Sequence, residues 1–248
     1  MMGYRIFLAG ASGAIGRRLI PLLCDAGHQV VGATRSAAKI ALIRELGAEP
    51  VVVDVFDAQN LAEVVRSARP EVVIHQLTDL PHGLDPSRMA EAVVRNARIR
   101  DEGTRNLVTA GIGAGARSLV AQSIAWAYAP GPEPHQESDP LDLAAEGTRA
   151  VSVRGVAALE QWTLNSPPLE GVVLRYGQLY GPGTGADGAA GRIPLHVDAA
   201  AYAALLAVDT SARGIFNIAE PNDYVATEKA RAQLGWHADF RQQASTAP

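Results

Sequence analysis

Tyr4-Arg5-Ile6-Phe7-Leu8-Ala9-Gly10-Ala11-Ser12-Gly13-Ala14-Ile15-Gly16, "YRIFLAGASGAIG", decides how the whole chain reads. A β-rich apolar run stops at three glycines, each separated from the next by two residues. The stretch that follows, "AIGRRLIPLLCDAG", places apolar side chains at Ile15, Leu19, Leu22 and Leu23, a helical spacing that ends at Gly27. Strand, glycine turn and helix, in that order, are the context in which such glycines carry meaning. Gly10 permits a tight turn, Gly13 lets a phosphate approach the backbone, and Gly16 lets the helix pack closely on the strand. The start of the helix offers free N–H groups and a partial positive charge. Gly10, Ser12, Gly13, Ala14, Ile15 and Gly16 are therefore read as the cradle of a dinucleotide pyrophosphate.

The alternation continues outward from this motif. "QVVGATR" is a second strand and "SAAKIALIRELG" a second helix with Ser36 as its N-cap and Gly47 as its stop. "PVVVDV" is a third strand, "DAQNLAEVVRSARP" a third helix capped by Asp57, and "EVVIHQL" a fourth strand. A long helix is expected from Ser87 to Ala110, then a fifth strand "SLVAQSIA". A Pro-rich loop, "YAPGPEPHQESDPLD", precedes a helix from about Thr148 to Asn165. "GVVLRYGQLYG" reads as one sixth strand. Several strands are apolar on both faces, which suits a parallel sheet covered by helices on each side. The fold class is α/β, a doubly wound parallel sheet of the Rossmann type with a small C-terminal substrate lobe. Residues 1–177 are assigned to the dinucleotide-binding domain and 178–248 to the lobe, within one structural unit.

Arg35 closes the second strand. An acidic residue there would hold the 2′-hydroxyl of NAD, whereas an Arg suits the 2′-phosphate of NADP. Its planar fork of donors is joined by the charge of Lys39 one turn on and by the Ser36 hydroxyl. The expected cofactor is NADP(H) in preference to NAD(H).

Composition narrows the field. The chain has 248 residues, a formal net charge of −4 and no clustering of Lys and Arg, so it lacks the basic footprint of a nucleic-acid binder. Cys24 is the only cysteine, in a helical stretch, and reads as a core residue. The His residues at 28, 75, 82, 135, 196 and 237 show no ligand spacing, and no metal is expected. There is no leader-like segment and no apolar run long enough to span a bilayer. A cytoplasmic protein that engages neither nucleic acid nor membrane is expected.

The sequence resembles the extended short-chain dehydrogenase/reductases, the NAD-dependent epimerase/dehydratase group. Besides the three glycines, the resemblance rests on "VVDV" with Asp54, "VVIHQL", "EGTRNLVTAG", "LRYGQLYGPG" and "IPLHVD". It implies that Asp54 binds the adenine amino group with Val55 beside the ring. Gln76 and Leu77 would approach the ribose next to the nicotinamide, and Tyr176 and Gly177 the carboxamide end. His75 and Arg175 would be structural, and a homodimer through two long helices is the usual arrangement.

The departures from the pattern matter more. The family has a catalytic Ser or Thr near the start of the loop after the fifth strand and a Tyr-x-x-x-Lys on the next helix, whose tyrosine, its pKa lowered by the lysine, protonates the oxyanion left by hydride transfer. Aligned on Glu160, this chain has Ile124 at the hydroxyl, Ser152 at the tyrosine and Val156 at the lysine. Arg100 replaces the Asn usually found three residues before "GT". Substitute donors are sought around the carboxyl edge of the sheet: Ser123 and Tyr128 are the catalytic candidates, each with a packed residue as its alternative. Trp126 reads as a wall of a substrate pocket, and His135 as a solvated loop residue. A Ser123–His196–Asp198 triad lacks the Gly-x-Ser-x-Gly elbow it would need.

The expected function is an NADP(H)-dependent oxidoreductase acting on a small carbonyl, hydroxyl or sugar-like substrate through a non-standard proton donor. The alternative is a non-catalytic NADP(H)-binding redox sensor or scaffold.

Overall fold

A computed structural model describes residues 3–81 and 85–242. Its elements follow the expected rhythm: β1 (Arg5–Ala9), α1 (Ala14–Asp25), β2 (Gln29–Thr34), α2 (Ile40–Glu45), β3 (Glu49–Val52), α3 (Ala58–Ala68) and β4 (Val72–His75). Then come α4 (Met89–Arg98), α5 (Thr104–Gly113), β5 (Ser118–Ile124), α6 (Gly147–Leu164) and β6 (Glu170–Tyr176). The chain continues through β7 (Gln178–Tyr180), β8 (Pro194–His196), α7 (Val197–Asp209), β9 (Gly214–Ile218) and α8 (Glu228–Leu234). A seven-stranded sheet of order β3-β2-β1-β4-β5-β6-β9 forms the centre, and every neighbouring pair is parallel.

The two-residue period of β1 shows why both faces are covered. Ile6 and Leu8 join one core with Leu19, Ile20 and Leu23 of α1 and the buried alanines of α7. Phe7 and Ala9 face the opposite side and pack with Leu61 and Val65 of α3 and Leu107 of α5. Asp57 caps α3 as expected, accepting from the Asn60 N–H at 3.1 Å. The second helix is shorter than expected: Ser36 makes no side-chain cap, and Ala37–Lys39 form a 3₁₀ turn before α2 begins. Cys24 is half-buried rather than a core residue, its thiol reaching the Gly47 carbonyl at 3.6 Å.

Three differences bear on the site. The expected long helix is present, but it opens into a π-helical turn over Ile99–Gly103 between α4 and α5. The single sixth strand is two: Gly177 donates to the Ile218 carbonyl at 2.8 Å, after which β7 leaves the main sheet and pairs with β8. The segment expected as a small lobe within the same unit, after residue 177, also returns β9 to the main sheet beside β6, and α7 lies in the core that contains α1. Arg18 on α1 pairs with Asp198 on α7 at 2.5 Å. His82 and the tail from 243 lie outside the described residues.

Candidate functional site

A crevice opens at the carboxyl ends of β1, β2 and β4, where the strand order reverses. Gly10 turns the chain out of β1 with φ of +92°. A Cβ there would stand 2.5 Å from the Gln76 carbonyl oxygen, so only glycine lets β1 and the end of β4 approach this closely. Gly13 is the N-cap of α1, extended, with its N–H on the Gly10 carbonyl at 3.0 Å. No side chain caps α1 and no acidic residue lies in its first turn. Its leading N–H groups are left for an anion, as a pyrophosphate cradle requires.

Arg35, Asp54, Val55, Gln76 and Leu77 line the crevice, as the sequence led one to expect. Asp54 accepts the Phe56 N–H on Oδ1 at 2.9 Å, which fixes its carboxylate at the rim. The Ser12 and Thr34 hydroxyls lie 3.3 Å apart and tie the glycine turn to the end of β2. Arg35 is exposed and donates to Asp79 at 3.0 Å, and the other oxygen of Asp79 accepts from Arg95 on α4 at 3.1 Å. Neither Asp79 nor Arg95 was singled out in the sequence. The one signal was an acidic residue two positions beyond Leu77, on the same edge as Arg35. Lys39 is exposed in the turn beyond Arg35, and Ser36 donates its N–H to Thr34 Oγ1 at 3.2 Å.

Gln76 is the most telling residue in the crevice. The Tyr176 hydroxyl gives its proton to the Ala200 carbonyl at 3.1 Å, so its oxygen must accept from Gln76 Nε2 at 3.4 Å. That orientation leaves Gln76 Oε1 as the single buried side-chain N or O without a partner among the described residues. A buried unpaired acceptor is costly, and a ligand hydroxyl or amide would satisfy it. Together with the uncapped helix and the glycine turn, it fits a dinucleotide. The Tyr176 ring is buried in the core, and burial pushes its hydroxyl pKa up.

The catalytic candidates are placed elsewhere. Ser123 is 1 % exposed and donates to Glu160 Oε1 at 2.9 Å. Glu160 is gripped by Arg175 through both oxygens, at 2.8 and 2.6 Å. Tyr128 is also 1 % exposed and donates to Asn217 Oδ1 at 2.7 Å, while the Arg175 guanidinium lies over its ring. Both hydroxyl protons are spent inside the fold, so neither is offered to a ligand. His135 is buried and stacks on Tyr128 at 4.8 Å, correcting the expectation of a solvated loop residue. His196 caps α7 by accepting the Asp198 N–H at 3.2 Å, and Asp198 is held by Arg18, so the Ser123 triad is not assembled. His75 is structural as expected: its ring bridges the Leu77 N–H and the Thr104 hydroxyl, and burial followed by the charge of Arg100 lowers its pKa to about 4.

The four positions aligned with the family's catalytic set do come together, with altered chemistry. Ile124 and Val156 pack in one apolar cluster with Ala127 and Val153. Ser152, four residues before Val156 on the same helix face, accepts from Arg100 at 3.2 Å. The chain's only lysines are Lys39 and Lys229, so no lysine can replace the missing one from elsewhere.

Comparison with known proteins agrees with this frame. Over 237 residues, 87 % of this chain and 76 % of the relative, the sequence is 42 % identical to a Streptomyces 3-diazoavenalumate denitrifying reductase. The fold resembles that of a UDP-glucose 4-epimerase from Thermotoga maritima, with a TM-score of 0.77 over 95 % of this chain and 94 % of that one, at 18 % identity. It also resembles the Bordetella bronchiseptica enzyme WbmG in complex with NAD, with a TM-score of 0.71 over 97 % and 90 %, at 19 % identity. Residues 6–219 match the model of the NAD dependent epimerase/dehydratase family, and the chain belongs to that family of short-chain dehydrogenase/reductase-like oxidoreductases.

Proposed function

We propose that the protein is an NADP(H)-dependent reductase whose substrate needs a hydride but no proton, with an aromatic diazonium as the substrate class. The reading rests on one observation: Ile124 and Val156 pack against each other where the family's fold places a proton donor and its lysine. Neither can donate a proton, and the nearest serine, Ser152, faces a cation rather than a base.

The nicotinamide, when bound, supplies a hydride. Reducing a carbonyl leaves an oxyanion that must be protonated, and neither Ile124 nor Val156 can supply that proton. Reducing an aromatic diazonium does not. One C–H bond forms on the ring carbon, the C–N bond breaks, and its electron pair leaves with neutral dinitrogen, so charge balances without an acid. The Streptomyces relative, named for denitrification of a diazo compound, supports this class. The residues of this chain then have three tasks. The glycine turn and Gln76 hold the cofactor, the Ile124–Val156 patch keeps water from a hydrolysable substrate, and Arg35 selects the cofactor. The Arg35 guanidinium would take a 2′-phosphate in place of Asp79.

The test is NADPH consumption with 4-hydroxybenzenediazonium against a panel of aldehydes and ketones. With NADPH deuterated at C4, the expected product is phenol carrying deuterium at the carbon that bore nitrogen, and none of that label when deuterium is supplied only by solvent. Turnover of carbonyls alone would overturn the substrate class. Tight NADPH binding with no turnover of either class would instead favour a sensor or scaffold.

A further inference from the structure

Arg100 carries a charge that the cofactor crevice does not use. It lies in the π-helical turn, where Ile99 faces the crevice and Arg100, the next residue, is directed to α6. The approach of the two helices is close at this point. A Cβ on Gly155 would meet the Ala97 Cα at 2.8 Å, and that contact brings Arg100, three residues after Ala97, beside Ser152, three residues before Gly155. The guanidinium is half-buried. Its one hydrogen bond among the described residues is to the Ser152 hydroxyl at 3.2 Å, and no carboxylate pairs with it.

A guanidinium withdrawn from water without an anion is costly, and folds seldom retain one without a use. The carboxylate that could neutralise it, Glu160, is already held through both oxygens by Arg175 and also accepts from Ser123. The region thus holds two guanidinium groups against one carboxylate. His75, the other titratable group beside Arg100, stays neutral, since burial and Arg100 itself lower its pKa to about 4. Val156, one turn beyond Ser152 on α6, is buried with Ile124 in one apolar cluster, and Trp126, partly exposed, follows β5.

From this geometry we infer that Arg100 anchors the carboxylate of an aromatic acid. Ser152 orients the guanidinium and is a positioning residue. The inference deepens the reductase reading by naming a second feature of the substrate, and rests on that reading only for which ligand is turned over. The binding itself needs no hydride.

The experiment is calorimetric titration of trans-cinnamate and of cinnamamide into the protein saturated with NADP⁺. The two ligands share the flat apolar body and differ in charge. Cinnamate is expected to bind about 10-fold or more tightly than the amide, the scale of a charge-assisted hydrogen bond. Arg100→Gln should abolish that preference, Arg100→Lys should retain part of it, and both should leave NADP⁺ affinity within about twofold, well under the tenfold of one such bond. Melting curves of both variants confirm folding, and Arg100→Lys keeps the test open should the glutamine variant fail to fold. Absence of cinnamate binding, equal affinity for acid and amide, or a preference that survives Arg100→Gln would overturn the inference. So would a tenfold loss of NADP⁺ affinity in Arg100→Gln, which would put the guanidinium on the cofactor ribose. If the acid preference holds while diazonium turnover fails, the anchor stands and the reaction assignment falls. The reverse outcome removes the anchor alone.

Discussion

The proposed preference for NADP(H) sets two anions against one another at the Arg35 guanidinium. Asp79 accepts from it at 3.0 Å and is itself shared with Arg95. An NADP 2′-phosphate brings more charge and more acceptor oxygens than a carboxylate, so it should displace Asp79. Arg35→Gln is expected to weaken NADP⁺ binding by about 10- to 100-fold, the range of hydrogen bonds to charged groups, with NAD⁺ affinity little changed. Asp79→Asn should shift the balance the other way and tighten NADP⁺ binding. Fluorescence titration of both cofactors against both variants checks the pair. A second residue-scale expectation concerns Glu160. Replacing it by Gln leaves Arg175 buried beside Tyr128 without its anion, and removal of one partner of a buried pair costs about 3–5 kcal/mol. Urea unfolding of Glu160→Gln should show that loss, while Tyr128→Phe, which deletes only the bond to Asn217, should lose about 1 kcal/mol.

Among the elements, α7 shows how composition sets spacing. Ala199, Ala200, Ala201, Ala203, Ala204 and Ala207 are all buried, so α7 can approach the sheet and α1 more closely than a leucine-rich helix could. Trp236 closes one end of this layer, its indole N–H on the Ala199 carbonyl at 2.9 Å. Ala204→Leu would force a larger side chain into that close contact and should cost about 1–3 kcal/mol, read as a lowered melting temperature with cofactor affinity unchanged. The π-helical turn between α4 and α5 belongs to the same scale. The helix was legible from Ser87 onward because its period is local, but the widened turn was not, because no residue type in "IRDEG" demands it. Its effect is to divide two consecutive residues between two tasks, Ile99 toward the cofactor crevice and Arg100 toward α6. The break at Gly177 was missed for a similar reason. "GVVLRYGQLYG" is continuous in β propensity, and only the pairing of β9 with β6 and of β7 with β8 shows that it serves two sheets.

Over the whole molecule, pH should act through His75. Its folded pKa is lowered to about 4 from an ordinary 6.5, so between those values the unfolded chain binds the proton and the folded protein does not. Its contribution is fully present above pH 6.5 and is lost as the pH falls toward 4, an effect of up to about 3 kcal/mol at 1.36 kcal/mol per unit. Urea unfolding at pH 7 and pH 4.5, for the native chain and for His75→Gln, measures it. The native chain should lose more stability on acidification than the variant. Equal losses would assign acid sensitivity to the carboxylates instead.

Residues 4–16, with the alternation that follows, determined the doubly wound sheet and the cofactor crevice by themselves. Hydrophobic period and glycine geometry act over a few residues, so they can be read along the chain. For the same reason Gly10, Gly13 and Arg35 could be placed at the crevice in advance, whereas Asp54, Val55, Gln76 and Leu77, which also line it, were implied only by the family resemblance. What only the tertiary structure decided was the fate of single polar groups. Ser123 and Tyr128 look like free hydroxyls in the sequence and are consumed by Glu160 and Asn217, while Arg100 looks like an ordinary helix cation and has no anion among the described residues. A hydrogen-bond partner 37 or 89 residues away is set by how helices and strands pack, and no local pattern encodes it.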